Sequence, residues 1–288
     1  MKPKKPSALF PRTAAVVVLY HPGDDIFDTI ASYAGQVDCV IAVDNTDEAP
    51  LGMAENMAGR GIVYLQNHAN WGVARGLNIG AEKAAELSCS FLLTMDQDST
   101  AAPDMVGKML ECLSGLKWEE VGLISPFHVT RASKPPVGGE PCSEVMTPMT
   151  SGCLLSLAAY RGVGPFRDDF FIDFVDNEYC LRLRRHGFRV IRANQAHLTH
   201  NVGDIRKYGP FIATNHSPLR RYYKTRNRFW VFREYLRDFP GHCLFDLVRL
   251  SKEIASIVLF EEEKGAKLRM MWRGWRDFRQ GRFGRYEG

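Results

Sequence analysis

Phe91-Leu92-Leu93-Thr94-Met95-Asp96-Gln97-Asp98-Ser99 is the stretch on which the reading of this chain turns. A mainly apolar run ends abruptly in two carboxylates spaced i, i+2, as a buried strand would if it delivered acid to its carboxyl end. If the strand persists through Asp98, side chains two apart share a face, and Asp96 and Asp98 can converge on one hard cation or on a cation and a ribose. The competing reading is a solvated strand-to-helix turn, in which Asp and Ser merely satisfy backbone N–H groups.

The segments upstream repeat the pattern. Ala14 to Tyr20 is continuous and β-branched until His21-Pro22-Gly23 stops it, which predicts a strand buried on both faces. Asp24 and Asp25 then open a helix over 26–34. Cys39 to Val43 ends in Asp44-Asn45, and Ile62 to Leu65 ends in Gln66-Asn67. Strand and helix alternate with short connections, which predicts a doubly wound parallel sheet whose ligands bind beyond the carboxyl ends of the strands. Tyr20, Asp44, Asn45, Asn67, Asp96 and Asp98 all fall at such ends. After the third strand, Gly72, Gly76 and Gly80 recur every fourth residue, placing Gly76 and Gly80 on one helix face for close packing. Arg75 and Asn78 are polar residues at the same helix entry, near the predicted pocket. Neither a G-x-G-x-x-G fingerprint nor a Walker-type phosphate loop occurs.

A second constellation follows a Pro-, Gly- and Ser-rich loop over 131–148. Between Asp168 and Glu178, five acids are interleaved with Phe170, Phe171, Ile172, Phe174 and Val175, unlike a solvated charge run. Carboxylates at the edge of an apolar wall make good bases. A helix over 177–186 would make Asp176 its N-cap and Glu178 a first-turn acid. His197 and His200 come after the next strand, three apart, as candidate metal ligands beside the commoner structural role.

The 288 residues, 45% apolar and 24% charged, suit one sizeable domain with an appendage or two small ones. Of 37 Lys and Arg, 17 lie in 218–288, against only 9 of the 33 Asp and Glu. The C-terminal quarter is therefore basic. There, Arg220 to Trp230 mixes cations with aromatics, fitting either phosphate contact by Arg226 or Arg228 or a helix whose aromatics pack inward while its arginines stay solvated. Lys264 to Arg285 is a basic, aromatic-bearing amphipathic pattern, suited to an anionic membrane surface or to docking on the catalytic domain or a second subunit. No apolar run approaches the roughly 18 residues of a membrane span. The seven cysteines, odd in number and without C-x-x-C spacing, predict reduced thiols in a cytoplasmic protein and no zinc site.

Read in order, Val16 to Pro22, Val43-Asp44-Asn45, Asn70 to Gly80, Met95 to Ser99, Ser151-Gly152 and Phe170 to Tyr179 resemble family 2 glycosyltransferases. The likeness covers roughly residues 14 to 230 and favours the bacterial rhamnosyltransferase-like branch that builds O-antigen and capsule. It implies a GT-A fold: an α/β, Rossmann-like, mostly parallel central sheet flanked by helices. With it come a flexible tail at 1–13, a catalytic domain at 14–217 and a mainly helical extension at 218–288. It also implies an inverting, metal-dependent transfer from a nucleotide-diphosphate sugar, dTDP-L-rhamnose being favoured, to a hydroxyl of a lipid-linked polysaccharide.

By this resemblance Asp44 meets the nucleobase, Asp96 the ribose and Asp98 the Mg²⁺ or Mn²⁺, with His200 completing the metal shell. Asp176 is the catalytic base, and Asp173, Glu178, Arg226 and Arg228 fall on the acceptor or diphosphate side. Val175-Asp176 replaces the family's common Glu-Asp pair, and the Gln-x-x-Arg-Trp motif of processive synthases is missing, which implies one sugar per encounter. The location implied is the cytoplasmic face of the plasma membrane, with homo-oligomerisation through the C-terminal helices a further option. A sugar-nucleotidyltransferase would want a basic glycine-rich loop where His21 to Asp25 is acidic. A nucleic-acid-binding module would leave the aspartates without work, and the acidic first 217 residues would repel a phosphate backbone.

Overall fold

The computed structural model describes residues 11–130, 133, 139–200, 206–208 and 211–288, with backbone alone at 200, 206–208 and 211–212. Most of the expected N-terminal tail, seven positions of the loop over 131–148 and the His200 side chain lie outside the described residues. The chain divides into two compact units, Met1–Phe166 with Tyr179–Asn201, and Arg167–Glu178 with Val202–Gly288.

The first unit is built on one sheet. The β-branched and apolar runs form β1 (Thr13–Leu19), β2 (Cys39–Asp44), β3 (Val63–Gln66) and β4 (Phe91–Asp96), all parallel in the order β3-β2-β1-β4. Their register sets Leu19 opposite Asp44, Asp44 opposite Gln66, and Val18 opposite Asp96. The strands therefore expire at one level, and the polar residues that end them come to one edge.

The sheet continues through β8 (Cys153–Ser156), antiparallel to β4, then β6 (Val121–Val129), β9 (Arg189–His200) and β5 (Ser99–Ala101), while β7 (Cys142–Glu144) pairs with β9. β6 and β9 run parallel to each other. β9 is one strand of 12 residues, so His197 and His200 lie within the strand they were expected to follow.

Between the strands run α1 (Ile26–Ala34), α2 (Met53–Gly59), α3 (Gly72–Glu86), α4 (Met105–Glu111) and α5 (Leu157–Val163). Val17, Leu19, Ile30, Tyr33, Leu93 and Met95 lie in the core beneath them. A methyl group on Gly80 would overlap Val16 and one on Gly76 would overlap Val18, so these glycines bring α3 down onto β1.

The cysteine reading needs correction. Cys39, Cys89, Cys153, Cys180 and Cys243 are free, but Cys112 and Cys142 are joined by a disulfide. Pairing of β7 with β9 carries Cys142 to the end of α4, a proximity that 30 residues of separation conceal. The argument from cysteines to a reducing compartment therefore fails.

The second unit contains the hairpin of β10 (Arg206–Tyr208) and β11 (Phe211–Ala213), and three long helices: α7 (Pro218–Tyr235), α8 (Pro240–Phe260) and α9 (Lys264–Arg279). Ser217 caps α7 by accepting from the Arg220 amide, with Pro218 at its first position. Gly274 lets α9 approach α7 backbone to backbone: a Cβ there would lie 2.4 Å from the Tyr222 carbonyl oxygen. Helix α6 (Val175–Arg185) starts in this unit and passes into the first at Tyr179. Among the described residues, no helix is long and apolar enough to cross a membrane.

Candidate active site

In the first unit the expected residues gather at the carboxyl edge of the sheet, and neighbours invisible in the sequence pattern hold them. Gln97 accepts from the Tyr20 amide at 2.9 Å and donates to the Tyr20 carbonyl at 3.2 Å. Such two-way bonding stitches the end of β1 to the turn between Asp96 and Asp98. The Ser151 hydroxyl accepts from the Asp96 amide at 3.1 Å and bonds the Ser99 hydroxyl at 2.9 Å. Gly152, at φ 77° with Pro126 and Leu198 against it, allows the tight turn that brings Ser151 in.

Asp96 is half-buried and Asp98 exposed, so the strand-end and turn readings are both partly realised: β4 stops at Asp96, and Asp98 stands in the two-residue connection to β5. In the ladder of β5 on β9, Ser99 lies opposite His200, which sets the histidine backbone one position from Asp98.

The other strand ends are more deeply built in. Asp44 is fully buried; it accepts from the Thr46 amide at 2.8 Å and from the Tyr64 hydroxyl at 2.7 Å. Burial, with the Asp44 carboxylate beside it, pushes the Tyr64 phenol far up. Asn45 donates to the Gly72 carbonyl and accepts from Asn67, so β2, β3 and the entry of α3 are tied together.

Asn78, expected near the nucleotide, is buried and spent on structure. Its side chain donates to the Phe166 carbonyl and accepts from the Phe166 amide and the Tyr160 hydroxyl. Arg75 is exposed, whereas Asn78, one turn further on, is buried where α3 meets Tyr160 and Phe166. Tyr20, Arg75 and Asp98 are the exposed members of the set.

In the second unit Asp176 is half-buried and stands in the first turn of α6, not at its N-cap, because the helix begins at Val175. One of its carboxylate oxygens accepts from the Asn177 amide at 2.8 Å. The segment before it is bent: Phe171, Asp173 and Phe174 all have positive φ, at 66°, 61° and 65°. Each such residue costs on the order of 1–3 kcal/mol and persists only where its surroundings impose it.

The restraint comes from α7. Asn227 donates to the carbonyls of Phe170, Ile172 and Asp173 at 3.0, 2.9 and 2.8 Å. Arg226 donates to the carbonyls of Asp169 and Phe170, both at 3.0 Å, and to that of Gly284 at 2.7 Å.

These contacts revise the acceptor-side expectations. Arg226 is 1% exposed, and Arg228, 5% exposed, pairs with Asp246 and Glu253, so both guanidiniums are turned inward and packed. Glu178 is buried and accepts from the Tyr235 hydroxyl at 2.8 Å. Asp173 is held by Arg220 at 3.1 Å. For Arg228 the reason is acid supplied later in the chain, because α8 brings Asp246 and Glu253 to α7, which local sequence cannot anticipate.

Carboxylate oxygens are the donors hard divalent cations take, and Mg²⁺ is commonly held by one or two of them, with water and substrate phosphate completing the shell. Asp98, Asp96 beside it and the backbone placement of His200 fit such an ion. Among the described residues no three His, Cys, Asp or Glu converge to hold a metal unaided.

Residues 15–115 match the model of Glycosyl transferase family 2. The dTDP-rhamnosyl transferase RfbF of Shigella flexneri is 28% identical over 246 residues, covering 76% of this chain and 79% of that protein. Among solved structures, GalNAc-T7 with UDP, GalNAc and Mn²⁺ superposes with a TM-score of 0.59 at 12% identity over 83% of this chain. TarS of S. aureus does so with 0.56 at 15% identity over 78%. The chain spans 54% and 40% of the lengths of those two proteins. The fold is that of GT-A type glycosyltransferases. Within that class residues 15–115 resemble family 2 glycosyltransferases, and the chain is rhamnosyltransferase-like in sequence.

Proposed function

We propose that the protein is an inverting glycosyltransferase that moves L-rhamnose from dTDP-L-rhamnose to a hydroxyl of a lipid-linked polysaccharide at a cytoplasmic membrane face. Residues 14–217 act as the catalytic domain and 218–288 as its helical extension. The observation that carries this reading is that Asp44 and Asp96 end their strands at one sheet edge, with Asn67 and Asp98 following one and two residues beyond β3 and β4. The likeness to a named dTDP-rhamnosyl transferase supports the donor.

On this reading exposed Tyr20 and Arg75 and half-buried Asp96 receive the nucleoside diphosphate, and buried Asp44 and Asn45 with half-buried Asn67 keep the strand ends in place for it. Asp98, with His200, would hold Mg²⁺ or Mn²⁺, which when bound neutralises charge developing on the leaving diphosphate. The Mn²⁺ and UDP of the GalNAc-T7 structure are in keeping with this. Asp176 takes the proton of the acceptor hydroxyl as its oxygen attacks the anomeric carbon from the side opposite the leaving group, so the configuration inverts. Asp173 is held by Arg220 and contributes through the loop that carries Asp176.

Thermal-shift titration with dTDP and Mn²⁺ tests the donor half. Both together are expected to raise the melting temperature more than either alone, and Asp98→Asn is expected to remove the Mn²⁺-dependent part while leaving the metal-free melt unchanged. An equal response in the variant would remove Asp98 from the metal site.

A further inference from the structure

α8 carries an apolar face that no described residue of its own unit covers. Leu244, Phe245, Val248, Val258 and Leu259 are each between 46% and 60% exposed. Leu244, Val248, Ser251, Ala255 and Val258 follow at intervals of four, three, four and three, which lines them along one side of the helix. The opposite side is committed: Leu250 and Ile257 pack with Met271 of α9. Exposed apolar surface gathered in this way marks a contact surface, whereas scattered exposed apolar residues do not.

Charge on α8 is sorted in the same sense. Its two acids face inward, Asp246 to Arg228 at 2.9 Å and Glu253 to Arg228 and Lys224 at 2.9 and 3.1 Å. Its two cations, Arg249 and Lys252, are exposed, and no acid of α8 is exposed with them. α9 adds exposed Arg269, Trp272 and Arg276. The sequence pattern put the membrane-seeking surface on Lys264 to Arg285, yet Met271 and Phe278 of that segment are buried. The apolar face that remains open belongs to α8.

We propose that this face of α8 lies on an anionic phospholipid surface, with its apolar stripe entering the headgroup boundary and Arg249 and Lys252 meeting lipid phosphates. The 21 residues of α8 are about 31 Å long, enough to reach across a bilayer core. Asp246, Arg249, Lys252 and Glu253 at its centre forbid spanning, so the helix lies flat. A second copy of the chain is disfavoured as the occupant, because two such faces would set Arg249 and Lys252 against their own kind with no exposed acid on α8 to answer them. Catalysis by Asp176 is not assumed; the proposal borrows from the proposed function only the reason for being near lipid.

Flotation of the full-length protein with phosphatidylcholine vesicles, with and without phosphatidylglycerol, tests this with neither donor nor acceptor present. Phosphatidylglycerol vesicles are expected to carry the protein upward. Arg249→Gln with Lys252→Gln should weaken that binding by on the order of tenfold. Phe245→Glu with Val248→Glu should abolish it, with circular dichroism and the dTDP melt unchanged. Wild-type protein that stays down with phosphatidylglycerol, or variants that float as it does, would overturn the proposal. So would a wild-type dimer by light scattering that Phe245→Glu with Val248→Glu dissociates, since the face would then be a self-contact.

Discussion

At the scale of single residues, the loop before Asp176 depends on Asn227. One amide group donates to three carbonyls across a segment holding three non-glycine residues at positive φ. Asn227→Leu keeps the volume and removes every donor, so the Ile172 and Asp173 carbonyls lose this partner at about 1–3 kcal/mol each, while the Phe170 carbonyl keeps Arg226. The expected outcome is a lower denaturation midpoint with an intact native fold at low denaturant. In kinetics, kcat should fall while the KM for donor holds, because the loop carries Asp176 and not the strand-end residues. An unchanged kcat would show that the loop keeps its shape without Asn227. The two aspartates of the opening stretch were readable in advance because an apolar run that stops at acid is a local signal. Gln97, Ser151 and Asn227 were not, since their partners lie 77, 55 and 54 to 57 residues away. Asp176 was legible as an acid at a helix start, but its exact turn depended on where α6 begins.

At the scale of elements, α7 shows how a basic stretch can be buried. Burial alone would raise the Glu253 carboxyl, but Lys224, Arg228 and Arg221 outweigh it and hold the group down at about 2. Glu261 is likewise held low against its burial by Lys267 and Arg221. Burial also pushes His216 down to about 3, with Lys224, Arg220 and Arg221 adding to the effect, and its Nδ1 is buried without a partner.

The two kinds of group act in separate pH windows. His216 is neutral when folded and takes a proton when unfolded below about 6.5, so its contribution is lost as pH falls from 6.5 towards 3. The contribution of Glu253 is complete above its ordinary value of 4.5 and is lost as pH falls towards 2. Melting temperatures are therefore expected to decline between pH 7 and pH 5, before any carboxylate effect sets in. His216→Phe should flatten that decline and leave the fall below pH 4 in place. A decline of the same slope in the variant would assign it to other groups. The sequence offered either solvated arginines or phosphate contacts for this stretch. The structure took neither course: Asp246 and Glu253 return from the next helix to Arg228, and the carbonyls of Asp169, Phe170 and Gly284 take Arg226.

At the scale of the whole molecule, the alternation of strands and helices was legible because a parallel sheet buried on both faces writes continuous apolar runs into the sequence. The second half of the sheet was less so, since β5, β7 and β8 have only three, three and four residues and owe their pairing to distant partners. The Cys112–Cys142 link was hidden for the same reason. In the proposed function, acids at the sheet edge prepare the donor and one acid in α6, Asp176, takes the acceptor proton. Asp176→Asn tests this division most directly, in an assay of nucleoside-diphosphate release from dTDP-L-rhamnose with Mn²⁺ and a bacterial lipid extract as acceptor source. The account predicts turnover lower by about 10²- to 10⁴-fold, with the dTDP and Mn²⁺ melt shift retained. Turnover equal to that of the wild type would contradict it.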